Sequence, residues 1–196
     1  MKSPAYATLA ACIALGCGNI AFAKTTTAPA TSAQVPVVST NITEADVLAA
    51  QQAWGKALVQ ISNDYEQGGF AKAKATAEAV LDAAYGYNMG AVLFKPTLTV
   101  APQTFRTTKE GALAYFVGGN PNFPNDKGFA LKGWRSVSIN NAGIHLHGNT
   151  ATSMGNVSIT DKAGKTTTVD KTWGYVRDDQ GNLRIVLHHS SLPYQP

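Results

Sequence analysis

Between Thr43 and Tyr85 the apolar residues recur at helical spacing, and from Leu131 onward they alternate with polar ones. Thr43 followed by Asp46 is a helix-start signal, and Val47, Leu48, Trp54, Leu58 and Ile61 then form one apolar stripe. The paired glycines after Gln67, Gly68 and Gly69, predict a stop. A second, alanine-rich helix is expected over Phe70 to Tyr85, with Phe70, Ala73, Ala77, Val80, Leu81 and Ala84 on one side and Gly86 closing it. Ala91 to Pro96 reads as a short strand, because proline cannot continue a ladder. Thr108 to Phe116 reads as a third, shorter helix ended by Gly118 and Gly119, with a Pro/Asn/Gly loop from Asn120 to Gly128.

The rest of the chain predicts strands: Leu131 to Asn140, Gly143 to Gly148, Thr150 to Thr160, Lys165 to Arg177 and Leu183 to Ser190. Turn residues at Asp161 to Gly164 and at Asp178 to Asn182 separate the last three. Helices first and a strand meander afterwards give an α+β layout, with the helices on one face of an antiparallel sheet. Such a sheet twists and curls, and helices that cover only part of its hollow leave a cavity.

The first residues change the picture. Lys2, the apolar run from Tyr6 to Leu15 and the Ala21-Phe22-Ala23 pattern predict a signal peptide cleaved after Ala23. The expected setting is therefore periplasmic or secreted; a lipid anchor at Cys12, within a lipobox-like Leu9 to Cys12, is the alternative. The run is too interrupted by Gly16, Gly18 and Asn19 for a transmembrane segment. Cleavage would remove Cys12 and Cys17, the two cysteines, and leave no thiol for a disulfide or a nucleophile. Residues 24–40, rich in Thr, Ala, Ser and Pro, are expected to be a disordered linker, and 41–196 the folded domain. The net charge is only +4 and the lysines are dispersed, so nothing points to nucleic acid.

The residues of the last third carry a resemblance. Ile144 to Ala151 (IHLHGNTA), Thr172-Trp173-Gly174-Tyr175 with Asp179-Gln180-Gly181, and Ile185 to Pro193 (IVLHHSSLP) resemble the association domain of calcium/calmodulin-dependent protein kinase II. That domain belongs to the nuclear transport factor 2-like superfamily. The resemblance implies a cone-shaped fold with helices packed in the hollow of a curved antiparallel sheet. It also implies self-association, as a homodimer or higher oligomer. His145 and His189 fall on histidines of that family, whereas His147 and His188 do not. That association domain lines its cavity with arginines from its last three strands, and the matching positions here are Ser158, Trp173 and Ser190. The expectation is a neutral, aromatic-floored pocket for an unknown small molecule, formed by Ser158, Trp173, Ser190, His188, Tyr175 and Asn156. Strand alternation sets Lys171 and Tyr175 on the side of Trp173, and His188 on the side of Ser190.

Three chemistries compete for these residues. His145-x-His147 sets two imidazoles on one strand face, as a zinc or copper site would need, but no carboxylate is near in sequence; no metal and no cofactor are expected. His188, Tyr175 and Asp170 could form an acid/base group, although Asp170 and Trp173 fall on opposite faces. His188 to Ser191 lacks a nucleophile elbow, so a serine hydrolase is disfavoured. Trp54, Tyr85, Tyr115 and Phe116 read as core, and Arg106 and Arg135 as solvated, or as caps of a pocket mouth. The resulting expectation is an exported small-molecule-binding or self-associating scaffold domain. The alternative is a cofactor-free isomerase, dehydratase or cyclase working in the cone.

Overall fold

The computed structural model describes residues 40–196. The expected signal peptide, its Cys12 alternative and nearly all of the linker lie outside the described residues. Helix α1 spans Glu44–Ala84, and its start follows from local chemistry. Asp46 N donates to Thr43 Oγ1 at 3.2 Å and Thr43 N donates to Asp46 Oδ2 at 2.9 Å, a reciprocal cap. The two predicted helices meet at Gly69, whose φ of 72° breaks the helical backbone into two arms. Val47, Trp54, Leu58 and Ile61 on the first arm and Ala73, Ala77 and Leu81 on the second are buried, while Phe70 is not.

Strand β1 spans Leu93–Lys95 and helix α2 spans Lys109–Val117, capped by Thr108 and ended by Gly118. After a single 3-10 turn at Phe129–Leu131, four strands follow: β2 (Trp134–His147), β3 (Thr150–Asp161), β4 (Thr166–Arg177) and β5 (Leu183–Ser191). The sheet order is β1-β5-β4-β3-β2; β2 to β5 form an antiparallel meander, and β1 pairs parallel to β5. The fold is α+β, as the sequence pattern implies, and it has the nuclear transport factor 2-like arrangement that the resemblance implies. One boundary differs. The expected strands before and after Asn141 are a single long β2, interrupted by a register shift between Asn141 and Gly143. A bulge bends a strand without ending it, and the broken alternation there imitates a turn.

Alternation divides the sheet into two faces. Ala151, Ser153, Val157 and Ile159 of β3, and Val169, Lys171, Trp173 and Tyr175 of β4, face the helices and are buried. Burying an apolar side chain of this size contributes roughly 1.5–3 kcal/mol. The outer face is polar: Ser158 and Thr168 share a 2.8 Å hydroxyl contact, and Asn156 Nδ2 donates to Asp170 Oδ1 at 2.9 Å. Of the apolar residues on these strands, Val157, Ile159 and Val169 are core; Val137, Ile139, Ile144 and Val176 are half-buried, and Leu146 is exposed. Among the described residues no helix is long and apolar enough to cross a membrane.

Candidate functional site

Three hollows invite attention, and chemistry rather than size separates them. A groove of about 660 Å³ runs between α1 and the edge strand β2, past Leu48, Lys56, Arg135 and Ile139. A second, of about 500 Å³, lies between the arms of α1 and the ends of β4 and β5, and half of its lining residues are alanines. Both are open to solvent, and neither holds a buried ionisable side chain. The third is small, about 10 Å³, the room one water needs. It lies between α2 and the inner face of β4 and β5, where Thr97, Tyr115, Lys171, His188 and Ser190 converge among Trp54, Phe94 and Phe116.

The elements place these groups by plain geometry. Lys171 faces Ser190 and Trp173 faces His188 across the β4–β5 ladder. Phe94 faces His188 across the parallel β1–β5 pair, and the two rings stack at 4.3 Å. The chain leaving β1 then carries Thr97 over β5, where its Oγ1 lies 2.5 Å from Ser190 Oγ. The loop that follows is anchored by Arg106, whose guanidinium is buried and donates to both carboxylate oxygens of Asp126 at 3.0 Å.

Behind the cavity runs a buried chain of polar groups. Trp54 Nε1 donates to Tyr85 Oη at 3.0 Å, Tyr85 Oη lies 2.8 Å from His188 Nδ1, and His188 Nε2 lies 2.6 Å from Lys171 Nζ. Lys171 is 5% exposed and His188 is 2% exposed. The indole rings of Trp54 and Trp173 stand 4.9 and 5.4 Å from Nζ. Burial disfavours charge on both bases. It pushes the Lys171 ammonium down to about 7. It also holds the His188 imidazolium well below the usual histidine range, with the neighbouring Lys171 charge acting the same way. Burial raises the Tyr85 and Tyr115 phenols above the ordinary tyrosine range, so both stay protonated.

Four of the expected ligand-binding residues, Trp173, Tyr175, His188 and Ser190, are on the buried inner face, and of these His188 and Ser190 line the cavity. Ser158 and Asn156 stand on the outer face, because β3 turns its odd-numbered residues inward. Ser153, not Ser158, is the serine opposite Trp173. Of the expected acid/base group, Asp170 is also on the outer face, bonded to Asn156, so it cannot meet His188. The partner of His188 is an amine rather than a carboxylate. The expected neutrality of the pocket is corrected by that amine, since Lys171 brings a basic group into it. His145 and His147 are both exposed, and no cluster of three metal-ligating side chains occurs among the described residues. Arg106 is buried rather than solvated, and Trp54, Tyr85 and Tyr115, read as core, also touch the polar chain or the cavity.

Comparison with known proteins gives this geometry a family. The model of the family described as metal-independent carbonic anhydrase matches residues 45–192, a stretch that contains all of the cavity residues named above. A metal-independent carbonic anhydrase from Nostoc sp. strain PCC 7120 is 64% identical over 164 residues, 84% of this chain and 80% of that protein. The crystal structure of a cyanobacterial iota-carbonic anhydrase complexed with bicarbonate is 63% identical, with a TM-score of 0.82, over 84% of this chain and all of the other. A calcium/calmodulin-dependent protein kinase II association domain from Xanthomonas campestris matches at 24% identity and a TM-score of 0.51, over 79% of this chain and 91% of that one. That likeness shows the shared fold, so the resemblance read from the last third holds for architecture. The expectation of a binding or scaffold domain without chemistry is overturned by the family match and the 64% identical enzyme. The isomerase, dehydratase or cyclase alternative falls with it, since the relatives carry a different activity.

Proposed function

The chain belongs to the metal-independent carbonic anhydrase family, and from that premise we propose that it interconverts carbon dioxide and bicarbonate in the cavity between α2 and strands β4 and β5. The observation that carries the assignment to this cavity is the Thr97–Ser190 hydroxyl pair, closed on itself at 2.5 Å and set beside two buried bases. The cavity as it stands has the room of one water, so the pair must part to admit substrate, and each hydroxyl can then donate to, or accept from, the oxygens of a small planar anion. The solved relative that is 63% identical holds bicarbonate, an anion of that kind.

Hydration joins a water oxygen to the carbon of carbon dioxide, breaks one O–H bond and releases a proton. Metal-dependent enzymes lower the pKa of the bound water to about 7. A family that works without metal needs a side chain to take the proton as the C–O bond forms, and such a base is most useful when its pKa lies near the working pH. The basic groups that touch the cavity are Lys171 and His188. Thr97 and Ser190 orient the water or bicarbonate, and the protonated Tyr115 phenol offers one more donor on the α2 side. Phe94, Phe116 and Trp54 keep bulk water out, which strengthens every polar contact inside.

Stopped-flow hydration of carbon dioxide with a pH indicator tests the reading. Thr97→Val and Ser190→Ala should each lower kcat/KM by about a hundredfold, the size of effect seen when one stabilising donor is removed. Wild-type protein without hydration activity, or unaltered rates in both variants, would remove the assignment.

A further inference from the structure

The cavity offers two bases, and their contacts distinguish them. Both ring nitrogens of His188 are already engaged, Nδ1 with Tyr85 and Nε2 with Lys171. Tyr85 Oη has two lone pairs, so it can accept from Trp54 Nε1 and from His188 Nδ1–H together. We assign that tautomer because it leaves Nε2 able to accept an N–H of Lys171 whether the amine is charged or neutral. The imidazole then has nothing left to offer a molecule in the cavity. The neutral amine has: it spends one N–H on Nε2 and keeps its lone pair.

The surroundings of Nζ suit a group that changes charge. Strand β5 presents His188 and Ser190, the first arm of α1 presents Trp54, the residue that caps the end of α1 is Tyr85, α2 presents Tyr115, and β4 itself presents Trp173. No carboxylate among the described residues lies within ion-pairing reach of Nζ; the acid on the α2 side, Asp126, is held by Arg106. Indole faces favour the ammonium and burial opposes it, so neither form is locked in. An anion beside Nζ would supply the missing counter-charge.

We infer that Lys171 is the proton acceptor of the reaction, neutral when carbon dioxide and water occupy the cavity and an ammonium while bicarbonate does. This rests on the carbonic anhydrase reading above. In the hydration direction a water lone pair forms the new C–O bond and one C=O π pair moves onto its oxygen. The water proton passes to the Lys171 lone pair, giving bicarbonate and an ammonium. The ammonium then gives its proton to solvent or buffer as bicarbonate leaves. Because substrate anion and proton arrive together in the reverse direction, the enzyme should bind them as a pair.

Two measurements test this. Calorimetric titration of the wild-type protein with sodium bicarbonate at about pH 8, in two buffers of different ionisation enthalpy, should show uptake close to one proton per anion bound. Lys171→Met, which keeps the length of the side chain without its charge, should lose that uptake. It should also lose about a hundredfold in hydration kcat/KM, together with the limb of the wild-type pH profile near 7. A merely structural lysine would leave both the proton count and the limb in place. Bicarbonate binding without proton uptake by an active wild-type enzyme overturns the role of Lys171 and leaves the carbonic anhydrase reading standing. The same limb persisting in Lys171→Met does likewise. If Lys171→Met does not fold, the wild-type proton count decides alone. A wild-type protein that does not hydrate carbon dioxide removes the function, and this role with it.

Discussion

Tyr85 is buried where helix and sheet chemistry meet. Its hydroxyl joins Trp54 of α1 to His188 of β5, and its backbone forms a bridge to Ile185. Its ring stacks on the imidazole at 6.0 Å with the planes 19° apart, so the imidazole is fixed both in plane and in tautomer. Tyr85→Phe keeps the packing and deletes only the oxygen. Trp54 Nε1 and His188 Nδ1 would then be buried without their acceptor, a change that costs about 1–3 kcal/mol. Urea unfolding of Tyr85→Phe should show a loss of that size. Hydration should slow as well, because the ring would be free to turn its proton toward Lys171. Unaltered stability would mean that these two donors are satisfied elsewhere.

At the scale of elements, the β2–β3 pair depends on one glycine. Gly155 is opposite Lys171 on β4, and it lies under the bulge of β2. A Cβ built there would stand 2.1 Å from Asn140 O and 2.7 Å from Asn141 Cα, both backbone atoms that cannot swing aside. The same bulge delivers Asn141 to α1, where its amide exchanges hydrogen bonds of 2.8 and 2.9 Å with the buried Gln51. Gly155→Ala must therefore open the bulge and strain that contact, at about 2 kcal/mol or more. A urea midpoint equal to wild type would show that β2 can yield at this point without loss.

Across the whole molecule, the ionisable groups set an unusual dependence of stability on pH. Lys171 has a folded pKa of about 7, far below its value in an unfolded chain, and His188 is lowered in the same direction. Between the folded and unfolded values the unfolded chain binds more protons, so stability rises with pH through that window. For Lys171 the window runs from about 7 up to about 10.4. The carboxyls of Asp46 and Asp178, lowered chiefly by hydrogen bonds from Thr43 and Arg184 respectively, add stability that is lost as pH falls through the acid range. The buried phenols of Tyr85, Tyr87, Tyr115 and Tyr175 are raised by burial; the folded state keeps their protons above pH 10 and loses stability there. Thermal unfolding should accordingly show a stability maximum near pH 9–10, more alkaline than the usual range of about 5–8. Lys171→Met should flatten the rise above pH 7. A wild-type maximum near neutrality would contradict the burial of these bases.

The sequence by itself determined what local physics can encode. The Thr43–Asp46 cap, the break at Gly69, the stop at Gly118 and the two periodicities need only neighbouring residues, and they settle the elements and the α+β layout. Alternation also puts Lys171, Trp173 and Tyr175 on one face, and His188 with Ser190 on another strand's matching face. Only the tertiary structure decided which of these groups meet. Thr97 lies in a connector with no motif of its own and reaches Ser190 because β1 pairs parallel to β5, a contact across 93 residues. Tyr85 finds His188 across 103 residues, and the depth at which Lys171 is buried depends on Trp54 from one element and Trp173 from another. Ser158 shows the converse: matching by resemblance placed it in the pocket, while its own strand's parity sends it outward. A residue's neighbours in sequence fix its direction, but burial, proton affinity and partners depend on elements that the chain brings back from far away.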